Sequence, residues 1–398
     1  MFNNIKIKDL LTITLIIIGV ALTSHFYLID RLGFWRLIYP VQAQIASMTS
    51  QCSPQTPIWM KQAMHYAIHE QKNLSNQLAF IDANQQLHHC ESGWRGTAVF
   101  SEKLQPEHRF RYASLTKTLT SHAVLDLIQQ KRLTLDTRLI DLFEELKQMD
   151  YQDPRIQNIT LGQLLEHRSG FDRIKSEDVV FAINKKSWCP DNLTALTMQR
   201  LDFDPDAKYA YDNRNYCLLG AVVERLSGQS YRSYMTQHYP LAQYNMQFVD
   251  GVYFADEVQY DFRNNDFWMP IHDNQFDFKA LSSSAGLSGS ASALATVLSN
   301  LLKNKKFDLL AISPQAKTNC QVHQFESCNG YTMLQYQPSA TQPLIYFRRG
   351  GLPAVTSLAM ITQNKEVIVW MGNGASSYKK HNDLYHLERY FYQLLNKQ

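Results

Sequence analysis

Residues Leu10 to Ile29 form a run of 20 residues without a single Asp, Glu, Lys or Arg. That is about the length of an α-helix crossing a bilayer, where only a helix or a closed barrel pairs every backbone polar group. The run is therefore expected to be a transmembrane anchor, preceded by a short cytoplasmic N-terminus at residues 1–9. A cleaved signal peptide is the alternative. Val41-Gln42-Ala43 has small-residue cleavage character, but it lies farther past the apolar run than cleavage sites usually do. Lys6 and Lys8 precede the run and Arg31 and Arg36 follow it, so flanking charge barely fixes the orientation.

The cysteines bear on that question. Cys52, Cys90, Cys189, Cys217, Cys320 and Cys328 all lie beyond the apolar run, with no Cys-x-x-Cys spacing among them. An even set of this kind fits disulfides in an oxidising compartment, with Cys320–Cys328 favoured by proximity; free buried thiols are the alternative. Disulfides imply a single-pass protein of the inner (cytoplasmic) membrane whose folded part faces the periplasm or exterior. Residues 30–56, with Pro40, Ser47, Ser50, Ser53 and Pro54 and little periodicity, are expected to be a linker, and the folded domain occupies residues 57–398.

Composition narrows the partners. A net charge of +3 over 398 residues, with basic residues scattered, gives no reason to expect nucleic acid. His65 and His69 are one helical turn apart and His88-His89-Cys90 are adjacent, but no further ligand has zinc-like spacing. No metal or cofactor is expected there, and oligomeric state stays open.

Along the chain, a helix at Trp59–Gln71 precedes a hairpin over Gln77–Cys90 with turn chemistry at Asp82 to Gln85. From 133 to 300 the pattern is mostly helical, with helices stopped by Gly170 and Gly228 and a small-residue stretch over 284–302 leading into another. Leu344 to Phe347, Val355 to Ile361 and Glu366 to Met371 are β-branched and aromatic runs, an antiparallel meander, and a helix over Asp383–Leu395 ends the domain. The expected fold class is α+β. An antiparallel sheet from residues 57–132 and 301–398 is flanked by helices and holds an inserted, mostly helical subdomain at 133–300.

Three stretches carry chemistry. In Ser114-Leu-Thr-Lys117 the apolar residues Leu115, Leu119, Ala123, Val124, Leu127 and Ile128 mark a helix with one face in the core. Residues three apart on a helix are neighbours, so the Lys117 amine can reach the Ser114 hydroxyl, and a desolvated lysine can take its proton. The same spacing also fits an ordinary helix start. It recurs at Ser376/Lys379 and Ser377/Lys380, so alone it is weak. Tyr211 and Asn213 lie in a loop ahead of a helix; a tyrosine near a lysine loses its proton at modest cost, and an Asn amide can orient a lysine. In Tyr346-Phe-Arg-Arg-Gly-Gly-Leu-Pro353, Gly350 and Gly351 at a strand end let a substrate approach the backbone. Gly286-Leu-Ser288-Gly-Ser290 misses the last glycine of an α/β-hydrolase elbow.

Taken in order, these stretches resemble the serine β-lactamase and penicillin-binding protein superfamily, nearest to the class C β-lactamase and D-alanyl-D-alanine carboxypeptidase branch with its esterase-like relatives. Ser114-Leu-Thr-Lys117 is similar to the family's Ser-x-x-Lys and Tyr211-Asp-Asn213 to its Tyr-x-Asn. Leu164-Leu-Glu-His-Arg-Ser-Gly170 is similar to Leu-Leu-x-His-x-Ser-Gly, read as structural. The resemblance implies a serine hydrolase forming an acyl-enzyme on Ser114 and cleaving an ester or amide. Lys117 and Tyr211 would serve as base and relay, and the backbone N–H groups of Ser114 and Gly351 as the oxyanion site. The departure is Arg348-Arg349-Gly350, where the family carries Lys-Thr-Gly or His-x-Gly. Arginine stays charged and cannot shuttle a proton. Arg348 is expected at the rim of the site as a carboxylate binder that also makes Tyr211 more acidic, with Arg349 on the opposite face of the strand. The altered motif supports a second reading, an inactive member that binds cell-wall peptide or a protein partner.

Overall fold

The strands carry apolar side chains on both faces, which requires cover on each side of the sheet. This computed structural model describes residues 7–131, 133–262, 276–303, 306–374 and 385–396. Its strands are β1 (Gln51–Cys52), β2 (Asn76–Ile81), β3 (Leu87–Ser92), β4 (Phe110–Arg111), β5 (Gln247–Phe248), β6 (Leu287–Gly289), β7 (Cys328–Asn329), β8 (Leu334–Tyr336), β9 (Ile345–Leu352), β10 (Val355–Thr362) and β11 (Val367–Gly372). The helices are α1 (Ile7–Leu28), α2 (Arg31–Met48), α3 (Ile58–His69), α4 (Thr116–Gln130), α5 (Glu144–Lys147), α6 (Leu161–Leu165), α7 (Asn213–Ser227), α8 (Tyr231–His238), α9 (Phe278–Ala285), α10 (Ala291–Leu301), α11 (Pro314–Thr318) and α12 (His386–Leu395).

Eight strands form an antiparallel sheet in the order β1-β3-β2-β11-β10-β9-β8-β7, so segments from both ends of the chain meet at the β2–β11 pair. Period-two alternation divides its side chains between two cores. Leu78, Phe80, Leu358, Met360, Ile368 and Trp370 pack with Trp59, Met60 and Ala63 of α3 and Leu387 and Phe391 of α12. Ala79, Ile81, Ala359, Ile361, Val367 and Val369 face the other way, toward α4, α7 and α10. Each fully buried aliphatic or aromatic side chain here contributes about 1.5–3 kcal/mol of transfer free energy. The architecture is the expected α+β fold, although the inserted region is not wholly helical, because its β5 and β6 pair with β4 in a small second sheet.

Helix α4 departs from the expected single buried face. Every residue from Thr116 to Leu125 is buried, including polar ones, so each hydroxyl needs a partner. Thr118 Oγ1 donates to the Leu115 carbonyl at 2.7 Å, Thr120 Oγ1 to Ser283 at 2.7 Å, and Ser121 Oγ meets Tyr216 Oη at 2.8 Å. These bonds tie α4 to α7 and α9. At Gly220 of α7 an added Cβ would lie 2.5 Å from Ser283 Oγ, which is the close approach that glycine permits.

The segment expected to be a linker is helical instead. Trp35, Tyr39, Ala43 and Ala46 of α2 recur at helical spacing and pack on Ile68, Leu74 and Trp94. Tyr39 Oη donates to the Ile68 carbonyl at 2.6 Å, and Lys72 lies 5.5 Å from the Trp35 ring. Ahead of it, Ile7–Phe26 of α1 is long and apolar enough to cross a membrane and none of it is buried. The cysteines pair as Cys52–Cys90, Cys189–Cys217 and the expected Cys320–Cys328, leaving none free. The further Ser-x-x-Lys spacings at 376–380 lie outside the described residues, as do Arg132 and the first residues of the expected 383–395 helix.

Strand β9 passes directly under the turn carrying Ser114. A Cβ added at Gly350 would stand 2.6 Å from the Tyr112 carbonyl oxygen and 2.1 Å from Ser357 Oγ, whereas one at Gly351 meets nothing within 4 Å. Gly350→Ala should therefore cost about 1–3 kcal/mol through overpacking, seen as a lower thermal midpoint. Gly351→Ala should stay within about 0.5 kcal/mol of the parent. Equal midpoints for the two variants would refute this account of the sheet–helix contact.

Candidate active site

Ser114 sits where β4 turns into α4. Ala113 takes φ +50°, a left-handed conformation costly for a non-glycine residue, and a 3-10 turn over Ala113–Leu115 then feeds α4. The turn is held from both sides: Tyr112 N–H donates to the Leu287 carbonyl at 2.9 Å and Ser357 Oγ to the Tyr112 carbonyl at 2.9 Å. The strained residue is thus clamped between β6 and β10.

Around it the four residues expected from sequence converge. Ser114 Oγ is 2.6 Å from Tyr211 Oη and 3.2 Å from Lys117 Nζ. Lys117 Nζ is also 2.7 Å from Asn213 Oδ1 and 2.9 Å from the Ser284 carbonyl. Lys117 is fully buried, and its pKa is held well below the ordinary lysine value, first by desolvation and next by the nearby Arg348 guanidinium. A neutral amine has two N–H donors and one lone pair. In the neutral form that this shift favours, Asn213 Oδ1 and the Ser284 carbonyl, which can only accept, would take both N–H groups and leave the lone pair for the Ser114 hydroxyl.

Tyr211 behaves differently from expectation. Burial raises its pKa, and this outweighs the lowering by Arg173, Arg348 and the Ser114 hydrogen bond. It is a neutral phenol at physiological pH, suited to passing a proton rather than to starting as tyrosinate. His167 braces it: the two rings stack with centroids 4.5 Å apart, and His167 Nδ1 accepts the Asp212 N–H at 3.3 Å. Burial and surrounding cations hold His167 neutral. From the Leu164–Gly170 motif, His167 is thus the residue that packs against Tyr211.

Asn213 opens α7, but the cap is Asp212, whose carboxylate accepts the Arg214 N–H at 2.8 Å and pairs with the Arg214 guanidinium at 2.7 Å. This gives the aspartate between Tyr211 and Asn213 a local purpose. Burial still lifts the Asp212 pKa to about 6 against the pull of Arg214. Sequence reasoning missed Asp178, which accepts from Asn213 Nδ2 at 2.7 Å and from its backbone N–H at 3.2 Å. It also missed Ser284 and Arg173. Asp178 and Arg173 belong to no periodic segment or local motif, and Ser284, although it opens the small-residue stretch, acts through its backbone carbonyl, which side-chain identity does not mark.

Arg348 is not at a rim. It is 3% exposed, its Nε donates to the Thr332 carbonyl at 2.6 Å, and its guanidinium lies 5.7 Å from the Tyr216 ring. Alternation sends Arg349 to the opposite face, as expected, where it pairs with Glu388 of α12. The exposed cation at the site is Arg173, with its guanidinium 4.5 Å from the Tyr211 ring centroid. Among the described residues no cluster of His, Cys, Asp and Glu is arranged to hold a metal ion.

Comparison with known proteins places this geometry. The sequence pattern of the Beta-lactamase family matches residues 77–392. A Dichelobacter nodosus protein named for fimbrial assembly, FimD of serogroup D, is 35% identical over 398 residues, covering 100% of this chain and 99% of its own. Protein flp of Staphylococcus aureus strain MW2 is 35% identical over 138 residues, 34% of this chain and 27% of that one. Among solved structures, the β-lactamase/D-alanine carboxypeptidase of Yersinia pestis superposes with TM-score 0.67 at 17% identity, covering 85% of this chain and 97% of that one. The D-amino acid amidase of Ochrobactrum anthropi SV3 gives TM-score 0.63 at 17% identity, covering 81% and 93%. At such identities the structures speak to the fold alone.

The position of Arg348 makes a pH-dependent prediction. Its charge helps depress the Lys117 pKa, so Arg348→Ala should raise that pKa and leave more ammonium at neutral pH. The rate at which a fluorophosphonate modifies Ser114 should fall at pH 7 and recover as pH rises, moving the acid limb of the profile to higher pH. Arg348→Lys should move it less. An unshifted limb in Arg348→Ala would show that the arginine does not act on Lys117.

Proposed function

The chain belongs to the Beta-lactamase family, and from that membership we propose that it is a serine hydrolase working through an acyl-enzyme on Ser114. The observation that carries this reading is the Lys117 amine, whose N–H groups are occupied by Asn213 Oδ1 and the Ser284 carbonyl while Ser114 Oγ lies 3.2 Å away. A lysine held only for packing needs no such arrangement.

Ser114 Oγ attacks the substrate carbonyl carbon as its proton passes to Lys117 Nζ. The oxyanion is assigned to the backbone N–H groups of Ser114 and, by resemblance, Gly351. The carbonyl re-forms as the bond to the leaving group breaks. Tyr211 Oη protonates that group, and the tyrosinate so formed recovers its proton from the Lys117 ammonium, whose nitrogen lies 5.0 Å from the Tyr211 ring centroid. Water then attacks the acyl carbon, gives its proton to the same relay, and releases acid and free Ser114.

The substrate class is an ester or amide, with a D-alanyl peptide, a small ester or a slowly cleaved β-lactam as candidates. Fold neighbours described as a D-alanine carboxypeptidase and a D-amino acid amidase support a small amide or peptide. A substrate carboxylate would meet exposed Arg173 before buried Arg348, and Gly351 leaves space beside the strand. We place the enzyme in the cell envelope, held by α1 with its domain outside the cytoplasmic membrane. The apolar span and three disulfides support that placement. The full-length relative named for fimbrial assembly favours a second reading, a binding protein for an envelope assembly that uses the same cleft without turnover.

Intact-protein mass spectrometry after a fluorophosphonate and, separately, benzylpenicillin tests the proposal. One adduct on Ser114 is expected, absent in Ser114→Ala and slowed by roughly a hundred- to ten-thousandfold in Lys117→Ala, the range for loss of a general base. Failure of both reagents to modify a folded protein would favour the binding reading.

A further inference from the structure

Helix α2 is apolar on two opposite faces, and among the described residues the domain covers only one of them. Trp35, Tyr39, Ala43 and Ala46 are buried against the domain. Phe34, Leu37, Val41 and Met48 are 45%, 65%, 63% and 73% exposed. At 3.6 residues per turn these four fall within one narrow stripe, roughly 160° around the helix from the buried set. Beside α2 the loop over 96–101 bends through Val99 at φ +72°, a genuine outlier for a β-branched residue. It presents Phe100 with 89% of its surface exposed. This loop is a neighbour of α2, because Gln42, Gly96, Thr97 and Ala98 line one cavity. An uncovered stripe and a strained loop tip showing a phenyl ring call for an apolar occupant.

We propose that this surface docks on a lipid bilayer, with α2 lying in the membrane interface and Phe100 as a second insertion point. The proposal rests on α1 being a retained anchor, and chain connectivity then selects the occupant. Only Ile29 and Asp30 separate Leu28, the end of α1, from Arg31, the start of α2. Two extended residues reach about 7 Å, so the first turn of α2, with Phe34 in it, cannot leave the bilayer surface. The Phe26 and Phe34 rings, 5.6 Å apart, bridge the corner. A helix of 18 residues is about 27 Å long. If α2 stood upright it would hold Val41 and Met48 in water; lying flat, it buries the stripe about 5–10 Å into the headgroup–acyl boundary. A second copy of the chain is the competing occupant. Gln44 falls where that helix pair would need its next apolar contact.

The test uses the full chain in vesicles of phosphatidylethanolamine and phosphatidylglycerol. Since every native cysteine is in a disulfide, single cysteines placed as Leu37→Cys, Val41→Cys and Phe100→Cys can each carry a nitroxide. Ile174→Cys, at an 89% exposed position near Arg173, is the aqueous control. Collision with oxygen and with a water-soluble nickel chelate is read by power saturation. The expected result is oxygen-rich, nickel-poor relaxation at 37, 41 and 100, and the reverse at 174. Nickel access at 37 or 41 equal to that at 174 overturns the docking of α2, and the same result at 100 overturns the role of the loop. Spin–spin broadening at 37 and 41, with both reagents excluded, assigns the stripe to a second copy and also overturns it. Loss of the anchor itself would show separately, as an intact mass lacking α1 and no vesicle-bound protein.

Discussion

The site depends on a lysine amine placed where it cannot afford its proton. An ammonium at the position of Lys117 would be fully desolvated near the Arg348 cation, and unpaired buried charge costs several kcal/mol. The fold favours the neutral amine and supplies acceptors for both of its N–H groups. Those acceptors come from distant places: Asn213 from the start of α7, Ser284 from the end of α9, with Ser114 from the turn before α4. The packing of α4, α7 and α9 is thus the same event as seating the Lys117 amine beside Ser114, and the Thr120–Ser283 and Ser121–Tyr216 bonds hold that packing in register.

Arg348 changes the proton traffic without removing the electrostatics. A lysine or histidine at this strand position can carry a proton; a guanidinium cannot. Its nearness still disfavours a charged Lys117 and partly offsets the cost of ionising Tyr211. On the proposed mechanism the proton carriers are therefore Lys117 and Tyr211, both within hydrogen-bond reach of Ser114 Oγ. With Nε donating to the Thr332 carbonyl, Arg348 is fixed to the strand framework rather than free to follow a substrate. The exposed guanidinium here is that of Arg173, which lies over the Tyr211 ring.

Much of this was legible in the sequence because its signals are local. Ser114 and Lys117 share one helical turn, Tyr211 and Asn213 lie two residues apart, and alternation alone separated Arg348 from Arg349. What stayed hidden had no period. Asp178 and Arg173 come from a long segment of loops between α6 and α7, where nothing in the spacing indicates which carboxylate or cation turns toward the site. Helix α2 was obscured by Pro40 and by Ser47, Ser50 and Ser53 within and after it, although Trp35, Tyr39 and Ala43 carried the i, i+4 spacing. Two of the three disulfides join residues 38 and 28 positions apart, and six cysteines pair in too many ways for spacing to choose. The depth of Arg348 was misjudged because a strand end reads as exposed; β7 and β8 extend the sheet beyond β9, and Thr332 closes over the guanidinium.

Asp178 shows how such a hidden residue can decide the chemistry. An Asn side chain presents either its oxygen or its amide nitrogen, and only the oxygen leaves the Lys117 lone pair pointing at Ser114. With the nitrogen toward Lys117, the amide would donate to the amine and compete for the same lone pair. An ionised carboxylate only accepts, so at 2.7 Å from Asn213 Nδ2 the Asp178 side chain fixes the nitrogen on its own side and the oxygen on the lysine's. The backbone N–H of Asn213, bonded to the same oxygen at 3.2 Å, and Asp212 as the helix cap hold the start of α7 in the required place. Asp178 also opposes Arg348, since its negative charge raises the Lys117 pKa that the arginine lowers. The carboxylate that orients the Asn213 amide therefore also limits how far the basicity of Lys117 falls, so a loop with no periodic signature bears on both the hydrogen bonding and the pKa of the buried amine.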